Sequence, residues 1–370
     1  MRIAIDGHML GDHSGGNESY YSNLLRAMRP DPKDEVFLFV KPNTDIAEYK
    51  GKFQIVEFKS KSPFLRNYVE LDKLCRRHKI DLLHTQYFIP FKRSCKVVCT
   101  IHDICFEHYR DIFTKKEYIR QKILIPYAAK HAEYIFTVSN HSKDDIADHY
   151  KINPQKVIVT YNAVNESFRK LDKEELDIAG LRQKFDIGEG AYVLTVGNLQ
   201  PRKNLPRLIE AFNNWKRKNE NNVRLVIVGK KAWLYSDIQK KVRMESKDIV
   251  LTDYVSEEDL IRLYNGAGAF IYPSFFEGFG IPPLEAMACG VPVAVANTTS
   301  LPEVVGEAGL YFDPYETDEI EEAINTLMTL KDVRETLIEK GFEQRNKFDW
   351  RKSSEIVYQT YDRIRTEPME

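Results

Sequence analysis

Two carboxylates, Glu277 and Glu285, stand with seven residues between them in PSFFEGFGIPPLEAMACGVP, Pro273 to Pro292. Gly278 and Gly280 let the backbone between them turn tightly and come close to a ligand. The amides of Phe279, Gly280 and Ile281 would then open a helix, beside the positive end of its dipole, where a phosphate is well held. Carboxylates repel phosphate but accept hydrogen bonds from neutral hydroxyls. An acid on either side of an anion site therefore fits a molecule with a charged middle and hydroxylated ends, such as a nucleotide-sugar. Upstream, YVLTVGNLQPRKN (Tyr192 to Asn204) carries Arg202 and Lys203. Two cations at a strand end can neutralise a departing diphosphate, arginine by pairing with two oxygens and lysine as a point charge. A plainer reading fits the same residues: Glu285 favouring a helix start, Glu277 solvated, and an exposed basic loop.

These side chains need elements to hold them. Ala269 to Tyr272 is a short apolar run that reads as a buried strand. Pro282 and Pro283 suit the first helical turn, with Glu285 on it, and Gly290 suits the helix end. Tyr192 to Gly197 reads as another strand, delivering Gly197 and Asn198 to the cationic loop. KVVCTIHD, Lys96 to Asp103, is a third, ending on His102 and Asp103. A histidine there is a candidate hydrogen-bond partner or proton carrier, and equally a satisfied core histidine. The first strand, Ile3 to Asp6, runs into GHMLGDHSGGNESYY and a helix over about Asn17 to Met28. Gly15 and Gly16 thus occupy a strand-to-helix turn, a usual place for phosphate.

Further strands are expected at 35–40, 54–58, 81–84, 134–139, 157–161, 223–228, 249–252, 292–296 and about 310–312. Helices are expected between them, among them Arg66 to His78 and one opening at SNHSKDDI with Ser142 as its cap. This alternation predicts an α/β protein of two tandem Rossmann-like, doubly wound parallel sheets. The connection falls in Arg169 to Glu189, and the interdomain cleft is the default ligand site.

At 370 residues the chain has the length of about two domains, and no apolar run approaches a membrane span. MRIAID enters a strand at once, so no signal peptide is expected. Cysteines 75, 95, 99, 105 and 289 are odd in number and sit mostly in or beside apolar runs, which predicts reduced thiols in the cytoplasm rather than disulfides or a metal site. Residues 1–170 carry 28 Lys and Arg against 21 acids, and residues 171–370 carry 26 against 34. A basic first half suits an anionic membrane surface or a phosphate-bearing acceptor, or is simply a solvated surface. Lys50, Lys52, Lys59, Lys61 and Arg66, and the basic amphipathic stretch from Asp111 to Tyr134, are candidates for that contact. No nucleic-acid partner is expected.

EGFGIPPLEAMACGVPV resembles the donor site of retaining glycosyltransferases of the family 4 type, mannosyltransferase-like group 1, whose motif is Glu, seven residues, Glu. The resemblance covers nearly the whole chain, most strongly 192–314 and least 35–95. It implies the glycosyltransferase B fold, with an acceptor-binding domain of 1–168 plus 351–370 and a nucleotide-sugar donor-binding domain of 169–350. The last helix, Arg351 to Arg365, is expected to cross back onto the first domain. The implied reaction moves a hexosyl unit, mannosyl by family frequency, to a saccharide or lipid-linked glycan. No cofactor or metal is implied, the nucleotide-sugar being a substrate.

By position Glu285 falls to the ribose, and Arg202, Lys203, Gly197, Gly16 and the Phe279–Ile281 amides to the diphosphate. Glu277 falls to the transferred sugar's hydroxyls, and His102 to positioning near the reacting carbon. Gly15, Gly16, Glu18, His102 and Asp103 face the acceptor, and Tyr254 and Val255 the base. Three departures stand out: Asn198 where arginine is common, Asn17 and Glu18 after the glycine pair, and Tyr254 where glycine is common. Arg202 is expected to replace the cation missing at Asn198. Other readings are an epimerase or phosphorylase on this fold and a non-catalytic sugar-nucleotide-binding member of a glycan-assembly complex. A nicotinamide dehydrogenase is disfavoured, because the first loop lacks G-x-G-x-x-G.

Overall fold

The computed structural model describes residues 1–11, 15–219, 221–230 and 248–366. Part of the first glycine loop, the tripeptide 231–233 of GKKAW and the last four residues of the expected first domain lie outside the described residues. The chain forms two compact units, Met1–Asn162 with Asp349–Glu370, and Ala163–Phe348. The divisions expected from sequence fall a few residues further along.

The first unit holds β1 (Arg2–Asp6), β2 (Glu35–Val40), β3 (Gln54–Glu57), β4 (Leu82–Gln86), β5 (Lys96–Thr100), β6 (Ile135–Thr137) and β7 (Val157–Val159). They form one parallel sheet in the order β3-β2-β1-β4-β5-β6-β7. The second holds β8 (Tyr192–Val196), β9 (Arg224–Val228), β10 (Ile249–Leu251), β11 (Ala269–Tyr272), β12 (Val293–Ala296) and β13 (Gly309–Phe312). Its parallel order is β10-β9-β8-β11-β12-β13. Helices on both faces explain why most of these strands are nearly continuous apolar runs. In each sheet the winding reverses once, between β1 and β4 and between β8 and β11. Loops leaving those paired strands turn away to opposite faces and open a crevice at the carboxyl ends.

The helix Leu205–Lys218 shows how the cover is set. Leu205, Leu208, Ile209, Phe212 and Trp215 fall on one face and are buried. Each contributes about 1.5–3 kcal/mol by leaving water. Trp215 Nε1 donates to Asn325 Oδ1 at 3.1 Å, in the helix Thr317–Thr329 that packs beside it. In the first unit the helix Trp350–Thr366 buries Trp350, Val357, Tyr361 and Ile364. Tyr361 Oη lies 2.6 Å from His84 Nδ1 on β4, and the Trp350 ring meets Tyr20 edge-on at 5.7 Å.

Three local expectations are corrected. The helix expected from Arg66 begins at Pro63, because Ser62 caps it and proline suits its first turn. Arg66–Glu70 then forms a wider turn before Leu71–Arg77. The helix Asn140–Tyr150 is capped by Ser139, whose side chain accepts from the Ser142 amide at 3.0 Å, so Ser142 lies inside it. Finally, two cations of the 50–66 stretch turn inward. Lys52 Nζ donates to the Leu25 and Arg26 carbonyls at 2.6 and 2.7 Å, ending the helix Gly16–Ala27. Burial lowers the Lys52 ammonium to about 8. Arg66 is buried over the Phe58 ring. Among the described residues no helix is long and apolar enough to cross a membrane.

Candidate active site

β8 and β11 are neighbours, so the loops leaving their carboxyl ends meet. After β8, a Cβ added at Gly197 would lie 3.0 Å from Lys203 Cε, so glycine lets the lysine fold back over the loop. Pro201–Lys203 makes a single tight turn, and Asn204 follows at φ 53°, anchored by its amide to the Pro314 carbonyl at 2.7 Å. After β11, the Glu277 amide donates to Thr299 Oγ1 at 3.1 Å. Ser300 Oγ is shared between the Glu277 and Phe279 carbonyls, both at 2.9 Å. The Phe275 amide donates to the Arg202 carbonyl at 2.9 Å, joining the two loops directly.

These loops bring three charges together. Lys203 Nζ donates to Glu277 Oε1 at 2.6 Å and to Tyr272 Oη at 2.6 Å. Tyr272 Oη donates on to Glu277 Oε1 at 3.1 Å, and Arg202 NH1 pairs with Glu277 Oε2 at 2.7 Å. Glu277 and Lys203 are only 6% and 7% exposed. Burial alone would raise the Glu277 carboxyl, but Arg202 and Lys203 outweigh it and hold the group at about 2. By family position these residues are expected to have separate duties, acid to sugar and cations to phosphate. Here they satisfy one another, because a buried carboxylate needs a counter-charge and further hydrogen bonds.

Gly280 sits at φ 96°, and a Cβ there would lie 2.6 Å from Leu301 Cδ2. The helix Ile281–Ala288 begins immediately after it. Glu285 therefore lies beyond the first turn, not on it, and its carboxylate has a different partner. Tyr264 Oη donates to Glu285 Oε2 at 2.8 Å. Burial raises this carboxyl to about 7, against the lowering effect of the Tyr264 hydrogen bond. Gly278 and Gly280 flank Phe279, whose buried ring meets Phe348 edge-on at 5.4 Å. Val255 is buried, whereas Asn198 is exposed and Tyr254 stands at the surface with Lys230 Nζ over its ring at 4.4 Å.

In the first unit His102 follows β5 and is 6% exposed. Gln86, the last residue of β4, places its amide nitrogen 2.7 Å from His102 Nε2 and 3.3 Å from the Asn17 carbonyl. That amide donates, so Nε2 is inferred to accept. Tyr20 meets the imidazole edge-on at 4.8 Å. Burial lowers His102 to about 3, which keeps it neutral. Asp103 Oδ1 accepts from the Cys105 amide at 3.0 Å and turns the chain. Glu18 Oε1 accepts from the Gly11 amide at 2.8 Å, so it ties down the first loop. Gly15 precedes the helix at φ 79°, and among the described residues a side chain at Gly16 would meet open space.

Four polar residues escaped the sequence reading. Tyr272 could have been found, since it ends the strand that delivers Glu277. His8, with Nδ1 3.0 Å from Asp6 Oδ2, lies in a loop read only for Gly15, Gly16, Asn17 and Glu18. Nothing local marks Gln86 or Tyr264, whose partners are distant in sequence. Among the described residues no group of three or more His, Cys, Asp or Glu is arranged to hold a metal ion.

The sequence pattern described as "Glycosyltransferase Family 4" matches residues 14–168, and that described as "Glycosyl transferases group 1" matches residues 177–344. O-antigen chain mannosyltransferase B of Escherichia coli is 33% identical over 286 residues, 74% of this chain and 72% of the relative. O-antigen chain mannosyltransferase RfbU of Salmonella typhimurium is 33% identical over 341 residues, 88% and 90% of the two chains. Among solved structures, Anabaena HepE in complex with UDP and glucose superposes with a TM-score of 0.76 at 18% identity, covering 98% of this chain and 99% of its own. That last likeness concerns the fold, two parallel-sheet α/β units of the glycosyltransferase B type. With both patterns matched in series and relatives this similar over most of their length, the chain belongs to the family 4, group 1 glycosyltransferases.

Proposed function

We propose that this glycosyltransferase moves a mannosyl unit from a nucleoside-diphosphate donor to a saccharide or lipid-linked glycan, retaining the anomeric configuration. The sugar is taken from the names of its relatives, both mannosyltransferases of O-antigen chains. The observation that carries the chemistry is Glu277, buried between Lys203 and Arg202 where the β8 and β11 loops meet. A diphosphate entering there competes with Glu277 for both cations. As Arg202 and Lys203 turn to phosphate oxygens, Glu277 is released to accept the hydroxyls of the transferred sugar. Tyr272 keeps one carboxylate oxygen engaged throughout. Glu285 takes the ribose hydroxyls, while Gly197, Gly278 and the Phe279–Ile281 backbone line the phosphates.

The acceptor oxygen then bonds to the anomeric carbon as the bond to the donor phosphate breaks. The acceptor's proton passes to the departing phosphate oxygen on the same face, so glycoside and nucleoside diphosphate are the products. Fixed cations and helix-end amides stabilise the charge that develops on the phosphate. His102, neutral, positions the sugar rather than removing a proton. We place the reaction at the cytoplasmic face of a membrane, with the first unit in peripheral contact.

The test is Glu277→Gln, which keeps the shape and removes the charge. Nucleoside diphosphate binding should hold or tighten, because the competing anion is gone. Transfer should fall roughly a hundredfold, since the sugar is no longer positioned. Transfer at the wild-type rate would remove Glu277 from the reaction.

A further inference from the structure

Where β1 ends, an acid and an imidazole stand on either side of a glycine: Asp6, Gly7, His8. A Cβ at Gly7 would lie 2.9 Å from Leu38 Cδ1 and 3.2 Å from the Phe39 carbonyl oxygen, so only glycine lets the chain turn this close to β2. His8 then comes back onto Asp6. Its amide donates to Asp6 Oδ1 at 3.2 Å, and its Nδ1 lies 3.0 Å from Asp6 Oδ2. Asp6 is 1% exposed, and among the described residues its carboxylate has no other hydrogen bond. A carboxylate sealed from water is costly, and here it serves one ring. The carboxylate can only accept, so the ring proton stands on Nδ1 and Nε2 is left as an acceptor. Nothing among the described residues bonds to Nε2.

The fold sets this acceptor at the carboxyl ends of the first sheet. Asp6 ends β1 and Gln86 ends β4, the two strands between which the winding reverses. Phe88, after β4, meets the His8 ring at 5.8 Å. Tyr87, between Gln86 and Phe88, sits at φ 63°, where an aromatic residue is rarely found. Its amide donates to the Thr100 carbonyl at 2.8 Å and its hydroxyl to Asn17 Oδ1 at 3.3 Å. These bonds hold its ring 5.4 Å from His102. Backbone strain of this kind gathers at ligand sites.

His102 is the complement of His8. Its Nε2 accepts from the Gln86 amide, so its proton stands on Nδ1 and that nitrogen donates. The same strand ends therefore carry one imidazole acceptor and one imidazole donor, and a sugar's hydroxyls do both. We infer that Asp6 and His8 orient the acceptor saccharide, a hydroxyl beside the reacting one donating to His8 Nε2. The reacting hydroxyl still gives its proton to the donor phosphate. Asp6 is a positioning residue that acts through His8. The assignment rests on the transfer proposed above.

The test uses the full chain with isotopically labelled histidine nitrogens, read by NMR at neutral pH. The His8 signals are identified by their loss in His8→Ala. Nε2 should carry no proton in the wild type. In Asp6→Asn the amide nitrogen can turn to Nδ1, so the proton should move to Nε2. Methyl α-mannoside should shift the wild-type Nε2 signal and leave that of Asp6→Asn in place. In transfer from GDP-mannose, His8→Ala and Asp6→Asn should each raise the acceptor KM roughly tenfold, the loss of one hydrogen bond, with the donor KM unchanged. His8→Gln, whose side-chain oxygen can stand near the Nε2 position, should recover most of the loss. Three results would overturn the assignment. One is a proton on wild-type Nε2. Another is a wild-type signal that the mannoside does not shift. The third is a wild-type acceptor KM in both His8→Ala and Asp6→Asn. Absence of wild-type transfer from GDP-mannose would count against the function proposed above, and the mannoside titration then decides the role of His8 by itself.

Discussion

Charge at individual side chains governs how this enzyme should respond to pH. Glu285 is raised from its ordinary value to about 7 by burial, and Glu277 is held down at about 2 despite burial by Arg202 and Lys203. A raised carboxyl favours its neutral form, so the Glu285 contribution to stability is full below about 4.5 and is lost as pH rises through about 7. Glu277 has the opposite sign: its contribution is present above about 4.5 and is lost as pH falls through about 2. If ionised Glu285 accepts the ribose hydroxyls, nucleoside diphosphate affinity should weaken as pH drops below about 7. The Tyr264 hydrogen bond lowers this carboxyl, so Tyr264→Phe should move the midpoint of that profile upward. Calorimetric titrations across pH would show it, and a midpoint the same in both proteins would separate Tyr264 from Glu285. Replacing Glu277 by alanine is the less informative change. It leaves Arg202 and Lys203 without their buried partner, a loss of roughly 3–5 kcal/mol when such a pair is broken.

At the level of elements, the site depends on two strand-to-loop junctions held in register at the winding reversal of the second sheet. Gly280 tolerates a side chain poorly, since φ 96° is unfavourable to one and Leu301 Cδ2 occupies the space. Gly280→Ala should lower stability by at least about 1 kcal/mol and raise the donor KM by shifting the start of the helix Ile281–Ala288. Thermal melting and donor saturation curves test both effects. Much of this was readable beforehand: apolar runs of four to six residues, such as AFIY and EVFLFV, became strands β11 and β2. Proline and glycine marked where the helix after Gly280 begins and ends. The pairings across the sheet were not readable. That Lys203 lies against Glu277, 74 positions away, follows from β8 adjoining β11, and no local pattern encodes that adjacency. Ser139 rather than Ser142 caps its helix because strand β6 ends at Thr137, two residues before it.

For the molecule as a whole, one unit is drawn from both ends of the sequence and the other from a continuous middle. Ending the chain at Phe348 would remove the helix Trp350–Thr366. It would uncover Tyr20 and leave His84 Nδ1 without the Tyr361 hydroxyl. The first sheet should then lose cooperative melting while residues 163–348 keep theirs. Calorimetry of the shortened chain would show one sharp transition, and two sharp transitions would contradict the argument. The same layout imposes an order on synthesis. Residues 163–348 can collapse around their own sheet as soon as they leave the ribosome. The earlier-made segment must wait, holding an unfinished core, until its closing helix is translated. The half of the enzyme that is made first is thus finished last, and it is the half most exposed to chaperones and proteases in the interval.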